Sequence, residues 1–157
     1  MKKVDTFEYV SVLRGLTDEG KEVSLRIAGD SMSPFLCHER DFINFKKPDR
    51  ELKRGDMVFF QRKSGQYIMH RIWKVTPEGY YIVGDAQSWI EGPIELEQIF
   101  GLITKVNRKG HWIGPENFWW WFFENIWIRL VPVRGMILKV YGACHRARNS
   151  VKGQSNE

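Results

Sequence analysis

The segment from Gly29 to Pro34 holds a serine in a setting that suits nucleophilic catalysis. A serine hydroxyl is a weak nucleophile and attacks a carbonyl only when a nearby base takes its proton. Gly29 lets a substrate backbone approach closely, and a turn at Pro34 can present the hydroxyl of Ser31 at a strand end. The same residue types also form ordinary surface turns, so this segment alone leaves both interpretations open.

His70 is the candidate base. It lies in the apolar run Tyr67–Ile72, where period-two alternation places it on one strand face with Ile68 and Ile72. A histidine in this position is usually a packed core residue, and it becomes a catalytic candidate only if a nucleophile faces it. With its ordinary pKa near 6.5, an imidazole base predicts activity that falls as the pH drops through about 6 to 7.

Two carboxylates downstream are candidates for the group that orients the imidazole. Asp85 follows Gly84, and Glu91 comes six residues later. A carboxylate that accepts a hydrogen bond from the imidazole fixes its tautomer and stabilises its charged form. An ordinary Gly-Asp turn is the alternative, and the sequence leaves open which acid has the role.

Four segments in this order resemble the sequence boxes of the signal peptidase I and S24/S26 serine peptidase superfamily: Gly29–Pro34, Arg54–Phe60, Tyr67–Ile72 and Gly84–Gly101. The resemblance covers about residues 22–106. It implies that Ser31 is the nucleophile, that His70 is the general base, and that Asp85 or Glu91 orients the imidazole. Most bacterial signal peptidases have lysine as the base, so the histidine resembles the Ser–His branch of the superfamily.

The same resemblance implies cleavage of a leader or precursor peptide after a small residue, with the peptide bound as an added β-strand. The backbone amides of Ser31 and Gly29 are the expected oxyanion donors, and Met32 is an expected substrate contact. No cofactor and no metal is expected. Two other functions remain open: an inactive peptide-binding or scaffold module on a membrane or export complex, and a LexA-like self-processing protein.

Alternating apolar residues predict a mainly β protein with a short N-terminal helix. Asp5 and Glu8 form a capping-box pattern, and Gly20 can end the helix within residues 1–21. Strand-like runs follow from Val23 onward, at Phe42–Phe45, Met57–Gln61, Tyr67–Val75, Tyr80–Val83 and Phe100–Val106. They predict a peptidase domain over residues 22–114, for which the resemblance implies the signal peptidase/LexA-like β-fold.

Gly114 and Pro115 mark the end of the β pattern, and residues 117–148 form an aromatic, basic segment expected to be helical and amphipathic. Residues 149–157 read as a polar tail. The expected substrate or membrane contacts are four tryptophans of the aromatic, basic segment: Trp119, Trp120, Trp121 and Trp127. Packing of this segment on the domain's own sheet is the alternative.

Charge favours a membrane partner over nucleic acid. The net charge is +5, from 24 Lys and Arg against 19 Asp and Glu. From Ile126 to Lys152 there is no acid, and six basic residues are interspersed with apolar ones: Arg129, Arg134, Lys139, Arg146, Arg148 and Lys152. This pattern predicts contact with an anionic membrane surface through residues 118–143.

The first residues lack the apolar run of a signal peptide, and no uncharged apolar run reaches the ~18 residues that span a bilayer. The sequence therefore predicts a cytoplasmic protein that lies peripherally on the inner face of the plasma membrane.

Overall fold

The computed structural model describes the backbone of residues 6–153 and the side chains of residues 8–143. Its elements, in chain order, are α1 (Thr6–Asp18), β1 (Val23–Arg26), β2 (Phe42–Lys46), β3 (Met57–Gln61), β4 (Tyr67–Thr76), β5 (Gly79–Val83), β6 (Glu91–Ile94), β7 (Ile99–Arg108), β8 (His111–Ile113), α2 (Phe118–Asn125) and α3 (Val131–Gly153). Short 3₁₀ turns lie at Leu96–Gln98 and Trp127–Leu130.

The strands form one antiparallel sheet in the order β1-β2-β7-β3-β4-β5-β6, and β8 pairs with the end of β7. The predicted mainly β architecture with a short N-terminal helix and a C-terminal helical segment is confirmed. β6 and β8 were not predicted. β6 contains Gly92 and Pro93, which argue against a central strand, and the structure places it at the sheet edge where proline is tolerated.

Helix α1 ends close to the predicted position. Its last residue is Asp18, and Gly20 has a φ of 81°, the left-handed conformation that commonly ends helices. Val10 and Leu13 are buried against the sheet. Asp5 of the predicted capping box lies outside the described residues.

The C-terminal segment is part of the main core. Trp120, Phe123 and Trp127 belong to the same buried cluster as Met32 and Phe35 of the segment after β1. The boundary near residue 114 therefore separates two kinds of secondary structure and not two packing units. α3 also continues to Gly153, into residues 149–157, which were predicted to form a polar tail.

Candidate active site

Ser31 lies in the turn that follows β1, and buried apolar neighbours hold this turn in place. Met32 and Phe35 are 2% and 0% exposed, and both pack in the main core, whereas Ser31 is half-buried. The carbonyl oxygen of Ser31 accepts a hydrogen bond from the Ala86 N–H at 2.8 Å. The turn after β1 is thus tied to the loop after β5.

His70 lies in the middle of the sheet, on β4, opposite Val58 of β3. The predicted alternation holds, since Ile68 and Ile72 both pack in a second apolar cluster on that face. His70 is 2% exposed, and its Nδ1 atom is buried without a hydrogen-bond partner among the side chains that the structure describes.

Gly84 is the point where the turn and the strand meet. A Cβ atom at this position would lie 2.6 Å from the Ser31 carbonyl oxygen and 3.0 Å from His70 Nε2. Both distances are shorter than a Cβ normally tolerates, so only glycine fits between these residues. The structure therefore brings the predicted nucleophile and the predicted base to one place, although no hydrogen bond joins the Ser31 hydroxyl to His70 within residues 8–143.

The two expected oxyanion donors, the N–H groups of Gly29 and Ser31, differ in their hydrogen bonding. The Gly29 N–H donates to His38 Nδ1 at 2.8 Å, so it is already occupied in this structure. Gly29 has a φ of 89°, which turns the chain sharply just before Ser31. The Ser31 N–H makes no such bond within the described part of the chain and remains the candidate donor.

Burial lowers the pKa of His70 from 6.5 to about 4. The negative charge of Glu91 opposes this change, and the positive charge of Arg62 adds to it. The imidazole is consequently neutral throughout the neutral and mildly acidic range. The pH at which activity is expected to fall is therefore lower than the pH 6 to 7 predicted from the sequence, because the depth at which His70 is buried depends on the tertiary structure.

Both candidate acids are engaged with arginines. The Asp85 carboxylate accepts hydrogen bonds from Nε and Nη2 of Arg71 at 3.1 and 2.9 Å, and both side chains are fully buried. Glu91 accepts from Nε and Nη2 of Arg62 at 2.6 and 2.7 Å. Neither carboxylate accepts a hydrogen bond from His70.

No family model, curated protein or solved structure matches this chain.

Ser31 is one of the residues that line an apolar cleft of about 170 Å³. Its walls come from α1, from β1 with the residues that follow it, and from β4, and they include Val10, Leu25, Ile27, Met32, Ile68 and Met69. β1 is an edge strand, and β4 pairs with β5 only from Arg71 onward. The cleft is thus flanked by two backbone segments that have sheet neighbours on one side each.

The aromatic segment divides into a buried and an exposed part. Trp120 and Trp127 are 5% and 6% exposed, so they are core residues, and their prediction as substrate or membrane contacts is wrong. Trp119 and Trp121 are each about half exposed. Successive residues of an α-helix point about 100° apart, so α2 buries Trp120 on one face while Trp119 and Trp121 lie towards the solvent.

Arg134 was predicted to belong to the basic surface, but it is fully buried. Its guanidinium donates hydrogen bonds to the carbonyl oxygens of Gly84, Gln87 and Trp127. Sequence analysis missed this role, and the only available signal was one arginine at helical spacing from Val131 and Leu138.

Among the described residues, no helix is both long and apolar enough to cross a membrane.

Proposed function

We propose that this protein is a serine endopeptidase of the signal peptidase type, in the S24/S26 superfamily, with Ser31 as nucleophile and His70 as general base. The observation that carries the proposal is the convergence of Ser31 and His70 on Gly84, where no larger residue fits. A serine that lines an apolar cleft and lies close to a neutral, buried imidazole supports an acyl-transfer site.

The reaction follows from the two side chains. His70 takes the Ser31 proton as the hydroxyl oxygen attacks the scissile carbonyl carbon, and it then gives that proton to the leaving amine. Water hydrolyses the resulting Ser31 ester with His70 again acting as base. The Ser31 N–H stabilises the oxyanion. The hydroxyl and the imidazole must approach further when substrate binds, as is common for catalytic hydrogen bonds in unliganded sites.

The geometry favours a Ser–His dyad over a triad. Asp85 supports Arg71, the residue next to His70, and so acts on the strand and not on the imidazole. Glu91 acts on His70 through its charge alone. We assign Asp85 a structural role and Glu91 an electrostatic one.

The cleft suits an extended peptide. A substrate strand between the edge of β1 and the unpaired edge of β4 at Ile68 and Met69 gains backbone hydrogen bonds of the kind that sheet edges offer. The apolar lining of the cleft suits an uncharged side chain, and the resemblance to signal peptidases implies a small residue immediately before the scissile bond. Leader or precursor peptides have this chemistry.

The test compares two serines of the same turn. Ser31→Ala should abolish cleavage of precursor-like peptides with alanine before the scissile bond, a loss on the order of 10⁶. Ser33→Ala, two residues away, should cleave at nearly the normal rate. Fragments are identified by mass spectrometry, and unfolding curves check that both variants fold. Undiminished turnover by Ser31→Ala would refute the assignment, and peptide binding without any cleavage would favour a binding module.

We also propose that the C-terminal helices dock on an anionic membrane. α3 presents an exposed apolar stripe at helical spacing, formed by Val133, Met136, Ile137, Val140 and Tyr141. Exposed Trp119 lies in the same groove as Ile137 and Tyr141, and basic residues also line this groove: Arg40, Arg108 and Lys109. An apolar stripe beside clustered positive charge matches an anionic bilayer surface.

Vesicle flotation tests the docking. The protein should float with anionic vesicles and less well with neutral ones, and salt should weaken but not abolish the binding. Met136→Ser with Val140→Ser should reduce flotation, whereas Leu96→Ser, a change at an exposed apolar residue elsewhere, should not. A full-length protein that stays at the bottom of the gradient with anionic vesicles would rule the membrane out.

A further inference from the structure

We infer that Arg134 and Trp127 form a clamp that positions the active-site loop Gly84–Gln87, which makes the C-terminal helical segment part of the catalytic unit. The expected effect of the clamp on catalysis rests on the proposed function. Arg134 and Trp127 are positioning residues here, since both act through the backbone of the loop.

The first half of the clamp is the guanidinium of Arg134. Nη1 donates to the carbonyl oxygens of Gly84 and Gln87 at 2.8 and 2.9 Å, and Nη2 donates to that of Trp127 at 2.8 Å. Arg134 is fully buried and forms no ion pair with any carboxylate of residues 8–143. One rigid, planar cation thus bridges both ends of the loop to the C-terminal segment.

The second half is the indole of Trp127. Its Nε1–H donates to the carbonyl oxygen of Asp85 at 2.9 Å, and its ring lies 5.2 Å from the Arg134 guanidinium carbon. A cation over an indole face is a favourable contact, especially away from water. Arg134 and Trp127 together contact the backbone carbonyls of Gly84, Asp85 and Gln87.

The clamped loop touches both reacting residues. The Ala86 N–H donates to the carbonyl oxygen of Ser31, and a Cβ atom on Gly84 would lie 2.6 Å from that oxygen and 3.0 Å from His70 Nε2. Asp85 anchors Arg71, the neighbour of His70 on β4. A displacement of this loop therefore changes the separation of nucleophile and base, and errors of about 1 Å in such a distance can reduce rates on the order of 10².

The chemistry of the contacts argues for positioning over simple packing. Burying a guanidinium is costly, and the hydrogen bonds from Nη1 and Nη2 of Arg134 offset part of this cost, while its buried Nε has no partner among the described residues. Hydrogen bonds from a cation are stronger and more directional than neutral ones. Apolar residues on the same segment, such as Val131 and Leu138, already attach α3 to the domain. Arg134 adds a fixed geometry at the loop, which apolar packing does not supply.

The decisive comparison is Arg134→Met against Leu138→Ala. Both changes weaken the attachment of α3, but only the first releases the loop. Arg134→Met should lower kcat by about 10² with little change in KM, because the cleft walls lie on other elements. Leu138→Ala should lower thermal stability while keeping kcat within about twofold.

A readout independent of peptide cleavage is the titration of the His70 imidazole, followed by nuclear magnetic resonance. Release of the loop should admit water and raise the pKa of His70 by about one pH unit towards its ordinary value. Leu138→Ala should leave this titration unchanged. If the wild-type protein cleaves no peptide, the proposed function fails, and the titration still decides whether the clamp shapes the site.

Two milder variants cover the case in which Arg134→Met does not fold. Trp127→Phe removes the indole donor, keeps a smaller aromatic ring in the core and should lower kcat by about tenfold. Arg134→Lys should restore part of the activity lost in Arg134→Met. A folded Arg134→Met or Trp127→Phe protein with unchanged kcat and unchanged His70 titration would overturn the inference. It would reduce Arg134 to an anchor for α3.

Discussion

The carbonyl oxygen of Ser31 and the Nε2 atom of His70 lie 2.6 and 3.0 Å from one point in space, the place that a Cβ atom on residue 84 would occupy. The two residues are 39 positions apart in the chain and come from different elements, a turn after β1 and the centre of β4. Gly84, from a third element, allows them to meet.

Gly84→Ala should therefore separate the two residues. The added methyl group would contact the Ser31 carbonyl, the Gln87 side chain and the imidazole at 2.6, 2.9 and 3.0 Å. We expect a loss of kcat on the order of 10² and a destabilisation of about 1 to 3 kcal/mol, measured by peptide cleavage and by denaturant unfolding. Gly135→Ala, where nothing lies within 4 Å, is the control and should retain activity. Normal turnover by Gly84→Ala would show that the site tolerates the separation.

The rate of cleavage should be insensitive to pH across the mildly acidic range. Because burial lowers the pKa of His70 to about 4, the imidazole remains neutral and able to accept a proton well below pH 6.5. We expect the acidic limb of kcat/KM near pH 4, measured as initial rates at each pH where the protein is folded. A half-maximal rate near pH 6.5 would instead indicate an imidazole exposed to water.

Acid should weaken the fold through the same residue. Above pH 6.5 His70 is neutral in both states, but between 6.5 and about 4 the unfolded chain binds a proton that the folded chain does not. The free energy of unfolding should thus fall as the pH drops through this window, by about 3 kcal/mol from His70. Denaturant unfolding of the wild type and of His70→Gln isolates this contribution. Parallel curves for the two proteins would contradict it.

The two acids should behave differently on neutralisation. Asp85→Asn leaves Arg71 buried without its counter-charge and should destabilise the protein by about 3 to 5 kcal/mol. Glu91→Gln breaks a partly exposed pair and should cost about 0 to 1 kcal/mol. Because the charge of Glu91 raises the pKa of His70, Glu91→Gln should move the acidic limb of the kcat/KM profile to still lower pH. A loss of kcat on the order of 10⁴ in Glu91→Gln would instead establish a triad.

Adjacent tryptophans provide a test of the C-terminal packing. Trp120 is 5% exposed and packs edge-to-face on Phe35, whereas Trp121 is 47% exposed. Trp120→Ala should cost about 3 to 5 kcal/mol of unfolding free energy, and Trp121→Ala should cost about 0.5 kcal/mol or less. Equal effects of the two changes would mean that the aromatic helix does not pack as the structure has it.

Local patterns in the sequence determined much of the fold. Alternation between apolar and polar residues is a property of the strand itself, so β3 was predicted with its observed bounds and β2, β4, β5 and β7 within one or two residues. Four short segments in order also selected Ser31 and His70 as the candidate pair. These signals are local, and the chain carries them whatever its tertiary structure.

Only the tertiary structure decided how the site is built. The partners of Asp85 and Glu91, the depressed pKa of His70 and the burial of Trp120, Trp127 and Arg134 all depend on contacts between distant segments. In sequence, Arg134 is one of several basic residues on an amphipathic helix. Its contact with the loop after β5 forms only when α3 packs there, because the carbonyl groups that accept its hydrogen bonds come from distant segments of the chain.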